Sequence, residues 1–156
     1  MHLLQFAGEI LIICQAHGIE PVLSGSLAVR AYTHSQNIQV HDIDLSCSER
    51  DFPLMADHLK RTNIDHRLKP WHVLQVLKDD LKVDFDSLEF WMADMPEDYE
   101  VLVTDFFKVK VATLDYLRIL YKRGLDETGK YSDEVNRGKY KALNHKYIIL
   151  SEASRG

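Results

Sequence analysis

Apolar residues fall at Leu3, Leu4, Ala7, Ile10, Leu11 and Cys14. That spacing predicts an amphipathic helix over residues 3–17, with Gly18 as its stop. Residues 19–24 form a short apolar run that reads as a strand despite Pro21. Gly25 breaks the run, and residues 26–32 read as a short helix. Residues 33–39 are polar without periodicity and read as a loop. Over residues 40–48 the period changes to two. Ile43, Leu45 and Cys47 point one way, with His41 on their packed side; Asp42, Asp44 and Ser46 point the other. This is the signature of a half-buried strand.

Ser48 stands as a cap for a helix running to about Arg61, with Asp51 three residues on and Pro53 in the first turn. Residues 64–68 read as a strand. Residues 73–77 and 81–87 read as the arms of a hairpin turned by Lys78, Asp79 and Asp80. In the second arm Leu81, Val83 and Phe85 face inward, and Lys82, Asp84 and Asp86 face outward. Residues 99–103 are a further strand. Thr113 caps a helix lined on one face by Leu114, Leu117, Leu120, Tyr121 and Leu125. A polar linker over residues 126–132 leads to a segment, residues 133–150, predicted helical in part. The sequence holds no internal repeat. The element order predicts a mixed α/β (α+β) chain with a C-terminal helical end.

Composition narrows the picture. The chain has 156 residues, within the usual range of one domain, and that size buries a core without disulfide staples. A single domain over residues 1–156 is expected, with its core in residues 19–105 and helices in residues 113–150. No apolar run approaches a membrane span, and no signal peptide is evident. Cys14 and Cys47 lie among apolar neighbours and read as buried free thiols, which predicts a cytoplasmic protein. The formal net charge of −5 argues against nucleic acid as the main partner, since phosphate-gripping domains are usually basic.

Three pieces carry candidate chemistry. In Leu23-Ser24-Gly25-Ser26 a strand enters a helix through glycine. Glycine admits close approach of a ligand, and the helix N-terminus offers unpaired N–H groups to phosphate. In Asp42-Ile43-Asp44 two carboxylates share one strand face about 6.5 Å apart along the chain. They repel unless a hard cation such as Mg²⁺ lies between them. Val83-Asp84-Phe85-Asp86 repeats that arrangement on a second strand. Aspartate is depleted in strands, so two strands that each pair acids against an apolar face are hard to read as ordinary solvated surface. Neighbouring strands would bring these carboxylates into one patch.

Together the three pieces resemble the polymerase-β-like nucleotidyltransferase superfamily, in its small minimal, antibiotic-modifying and toxin–antitoxin-associated types. Val22-Leu23-Ser24-Gly25-Ser26, His41-Asp42-Ile43-Asp44-Leu45 and Lys82-Val83-Asp84-Phe85 match its successive parts. The interval from Ser26 to Asp42 is longer than is usual there, and the region around Arg137, Lys139 and Tyr140 lacks a Lys-Asp pair found in many relatives. The resemblance implies a central mixed sheet flanked by helices. It implies transfer of a nucleoside monophosphate from an NTP to a hydroxyl of a small molecule or protein, with release of pyrophosphate. Asp42, Asp44 and Asp84 would hold two Mg²⁺ ions, Asp84 could accept the hydroxyl proton, and Gly25 and Ser26 would cradle phosphates. Asp86 is the alternative third acid; the residues flanking Asp84 fit the family pattern better. A homodimer or small protein partner would complete a shallow acceptor pocket. A non-catalytic, antitoxin-like interaction module on the same fold is the competing reading.

Other residues read as structural. Arg30 reads as an exposed helix arginine, Lys108 and Lys110 as the wet face of a strand end, and Trp71 and Trp91 as core or interface packing. The scattered histidines lack zinc-ligand spacing.

Overall fold

The computed structural model describes residues 2–153. Alternation at period two builds its centre. Seven strands form one mixed sheet in the order β3-β4-β5-β2-β1-β7-β6. They are β1 (Val22–Ser24), β2 (Ile43–Cys47), β3 (Asp65–Lys69), β4 (Val73–Lys78), β5 (Leu81–Ser87), β6 (Tyr99–Val103) and β7 (Lys108–Ala112). β1 runs antiparallel to β2 and parallel to β7, and β2 runs parallel to β5. The other neighbours are antiparallel.

Register turns the alternation into two rows that cross the sheet. Leu74, Phe85, Leu45, Leu23 and Val111 pair in sequence across β4, β5, β2, β1 and β7. All are buried, and they form the centre of the core. One residue along each strand, Gln75, Asp84, Asp44 and Ser24 pair in the same way, with Arg67 extending the row onto β3. Successive side chains point to opposite faces, so the apolar row and the polar row lie back to back.

Among the described residues six α-helices accompany the sheet. α1 (Leu3–Ala16) buries Phe6, Ala7, Ile10 and Cys14. Glu9 of α1 lies 3.8 Å from Lys78 of β4, and Gly8 packs on the backbone of Phe106, between β6 and β7. The helix therefore reaches both outer parts of the sheet. A side-chain carbon at Gly8 would lie 2.8 Å from the Phe106 carbonyl oxygen. α2 (Gly25–Thr33) follows β1 directly. α3 (Phe52–Arg61) packs Met55 and Leu59 into the core, and α4 (Leu88–Trp91) is a single turn. α5 (Leu114–Thr128) and α6 (Glu134–Glu152) pack along each other at the C-terminal end. The Thr113 and Asp133 side chains accept from Tyr116 N and Asn136 N, capping these two helices.

Several expectations are corrected. β2 begins at Ile43, so His41 is exposed ahead of the strand rather than packed beneath it. Ser46, placed on a wet face by alternation, is fully buried under Met92, and its hydroxyl meets the Met92 sulfur at 3.2 Å. Ser48 does not cap α3; a 3-10 turn (Glu49–Asp51) intervenes, and the Ser48 hydroxyl donates to Glu89. Lys108 and Lys110 stand on the wetter face of a strand, as expected, and that strand is β7. Trp71 and Trp91 are exposed, with the Trp91 indole N–H bonded to the Trp71 carbonyl at 2.8 Å. Cys14 and Cys47 are buried free thiols, as expected. Among the described residues no helix is long and apolar enough to cross a membrane.

Candidate metal and phosphate site

The polar row concentrates acid at its middle. Asp44 on β2 stands opposite Asp84 on β5, and Asp42 lies just before β2. One carboxylate oxygen from each of Asp42, Asp44 and Asp84 lies within 4.8 Å of the other two. Oxygen donors alone, close together and partly removed from water, suit a hard divalent cation. Asp86 is register-paired with Ser46 one step further along the same face.

The backbone at the front of this cluster is fixed by Gly25. Its φ is +69°, a left-handed conformation that favours glycine. A side-chain carbon there would lie 2.1 Å from Asp44 Oδ2. The main chain thus approaches the carboxylate more closely than any other residue would allow. Gly25 also opens α2. Its N-cap, Ser24, gives the helix no side-chain cap bond, in contrast to the capped α5 and α6. The Ser24 side chain therefore leaves the first turn of α2 uncapped at the positive end of the helix dipole, an arrangement that suits an anion.

Burial and mutual repulsion govern the charge states. Asp44 is held well above the ordinary carboxylate range, first by burial and then by Asp42, Asp86 and Asp84. Burial, followed by Asp84 and Asp42, pushes Asp86 up to about 7, with Lys69 acting the other way. Burial also raises Asp84, against a hydrogen bond from Gln75. A cation between these groups would relieve the repulsion. The donor set and the glycine cradle both fit a divalent metal.

Two residues from the C-terminal helices complete the surroundings. Tyr121 of α5 faces the Ser26 hydroxyl, and its own hydroxyl is raised by burial and by the nearby Asp44. Lys146 of α6 lies close enough to Asp44 to oppose the rise in its pKa. In the sequence Tyr121 belongs to the apolar stripe of its helix and Lys146 to a segment without a motif. Neither carries a local signal, because the approach of α5 and α6 to α2 is a tertiary event. Gln75 was also missed. It is 2% exposed and donates to Asp84 Oδ1 at 2.9 Å. Its place within an otherwise apolar run, Val73 to Leu77, was the available cue.

The remaining candidates lie elsewhere or are engaged. Arg30 is exposed on α2. Lys110 binds Glu20 at 2.7 Å. His72 pairs with Glu49 at 2.6 Å.

No family model matches the chain, and no curated protein matches it in sequence. Its structure is similar to solved ones. The antibiotic-resistance factor ANT(2'')-Ia matches with a TM-score of 0.63 at 13% identity, covering 94% of this chain and 88% of that one. An antigenic nucleotidyltransferase-like protein from Paracoccidioides brasiliensis matches with a TM-score of 0.62 at 14% identity, covering 95% and 75%. The lincosamide antibiotic adenylyltransferase LnuA matches with a TM-score of 0.54 at 12% identity, covering 87% and 92%. With the strand order, the Gly25 entry and the facing Asp44 and Asp84, these likenesses show that the chain has the polymerase-β-like nucleotidyltransferase fold.

Proposed function

We propose that the protein is a Mg²⁺-dependent nucleotidyltransferase that moves a nucleoside monophosphate from an NTP to a hydroxyl of a small molecule or protein. The observation that carries this is the convergence of Asp42, Asp44 and Asp84 beside a glycine that opens a helix. Two similar proteins support the transfer reaction in general: ANT(2'')-Ia has been solved with adenylyl-2''-tobramycin, and LnuA is a lincosamide antibiotic adenylyltransferase.

In this reading Asp42, Asp44 and Asp84 would hold two divalent ions, which when bound would neutralise charge on the triphosphate and lower the pKa of the acceptor hydroxyl. The chain's own groups do the rest. Gly25 and Ser26 bring the first-turn N–H groups of α2 and a hydroxyl to the phosphates. Tyr121 lies against Ser26 and would hold its hydroxyl in place. Lys146 adds positive charge on the α6 side of Asp44. The acceptor oxygen forms a bond to the α-phosphorus as the bond to pyrophosphate breaks, and the hydroxyl proton passes to the Asp84 carboxylate.

The test is release of pyrophosphate from each NTP with a panel of hydroxyl acceptors, for wild type and Asp84→Asn. Metal-dependent release that Asp84→Asn lowers at least about a hundredfold is expected. Equal rates in the two proteins would remove Asp84 from the reaction.

A further inference from the structure

We infer that Gln75, itself locked by Arg67, is the positioning residue that fixes Asp84 for divalent-cation binding. The inference rests on the metal reading of Asp42, Asp44 and Asp84 given above.

A glutamine is an expensive choice at the middle of a buried strand. Gln75 sits in β4 between Leu74 and Val76, both fully buried, and buried amides must be hydrogen-bonded. Both ends of its amide are used. Arg67 Nε donates to Gln75 Oε1 at 2.8 Å, and Gln75 Nε2 donates to Asp84 Oδ1 at 2.9 Å. The orientation follows from chemistry. Arginine has only donors and an ionised aspartate only acceptors, so the amide oxygen must face Arg67 and the amide nitrogen must face Asp84. A flipped amide would set oxygen against carboxylate and nitrogen against guanidinium.

The register makes this relay a property of the sheet. Arg67, Gln75 and Asp84 are directly opposite one another on β3, β4 and β5, and Asp44 continues the row on β2. The amide engages Asp84 Oδ1 and restrains rotation of the carboxylate. It does so without charge. A guanidinium directly on Asp84 would form a strong ion pair and compete with a metal for the same oxygens. Gln75 instead keeps the Arg67 charge one side chain away while passing on its orientation. Partners of this kind, bonded to a metal ligand rather than to the metal, typically change metal affinity about 10–100-fold when removed.

The experiment is a Mn²⁺ titration of the intact chain, with free Mn²⁺ read by electron paramagnetic resonance, for wild type, Asp84→Asn, Gln75→Met and Arg67→Met. Methionine keeps much of the buried volume of glutamine and removes the donor. Gln75→Met is expected to weaken Mn²⁺ binding about 10–100-fold. Arg67→Met, which frees the amide to turn, is expected to weaken it several-fold. Saturating Mn²⁺ should restore turnover in both, which a defect of packing alone would not allow. Wild-type affinity in Gln75→Met, with Asp84→Asn impaired, would overturn the inference and leave the proposed function standing. A wild type that binds no Mn²⁺ would overturn both. If Gln75→Met does not fold, Arg67→Met decides, because Arg67 is exposed; unchanged affinity there would overturn the relay.

Discussion

Gly25 and Asp44 constrain each other. The left-handed backbone of Gly25 brings the main chain against the Asp44 carboxylate, where any side-chain carbon would collide with it. Gly25→Ala is therefore expected to cost about 1–3 kcal/mol from the backbone alone. It should also displace Asp44, so that divalent-ion binding falls together with the midpoint of urea unfolding. A variant with wild-type metal affinity would show that this contact does not shape the site. At this scale the sequence was highly legible. The approach of Asp42, Asp44 and Asp84 to one another was foreshadowed by aspartates repeating at a spacing of two in Asp42-Ile43-Asp44 and Asp84-Phe85-Asp86, although Asp42 itself lies just before β2. Tyr121 and Lys146 were not foreshadowed, because each reaches the site through packing that no local pattern encodes, and Gln75 left only the cue of a lone amide in an apolar run.

Strands and helices show the same division. β5 is the element on which the account leans most, since it carries Asp84 and Asp86 on one face and Val83 and Phe85 on the other. Phe85 is fully buried at the middle of the apolar row, so Phe85→Ala should destabilise the chain by about 3–5 kcal/mol in denaturant titration. Much smaller loss would mean that this row is not the centre of the core. Alternation located β2 and the β4–β5 hairpin well, because a strand with one apolar face writes period two into its sequence. It failed where both faces are covered. Ser46 is polar yet buried, because Met92 closes over it. The capping pattern failed at α3, where Ser48 is drawn away to Glu89 and a 3-10 turn precedes the helix. Trp71 sits in a turn with its φ at +72°, outside any periodic element, so its exposure could not be read from pattern.

Taken as a whole, the molecule gathers acid on one face of a sheet whose other face is its core, and this has a consequence for pH. Asp86 moves from the usual 3.8 to about 7 on folding, and Asp44 and Asp84 are raised as well. A carboxyl group raised in this way keeps its proton in the folded chain after the unfolded chain has released it. Between about pH 4 and pH 7 the folded state binds more protons, so stability from these groups falls as pH rises through that window. Thermal unfolding in a chelator should show Tm declining from pH 5 to pH 7, and Asp86→Asn should flatten the decline. A Tm that rises over this range would contradict the assigned burial. Divalent cations should reverse the loss at neutral pH, by about 2.7 kcal/mol at a concentration one hundred times the Kd.

The proposed reaction requires the acids beside Gly25 to bind an NTP through divalent cations. Calorimetric titration of each NTP, with and without Mg²⁺, into wild type and into the Asp42→Asn/Asp44→Asn double variant tests it directly. Mg²⁺-dependent binding to wild type that the folded double variant loses is expected. Binding that is independent of Mg²⁺ and survives in the double variant, or no binding to a folded wild type, would contradict it.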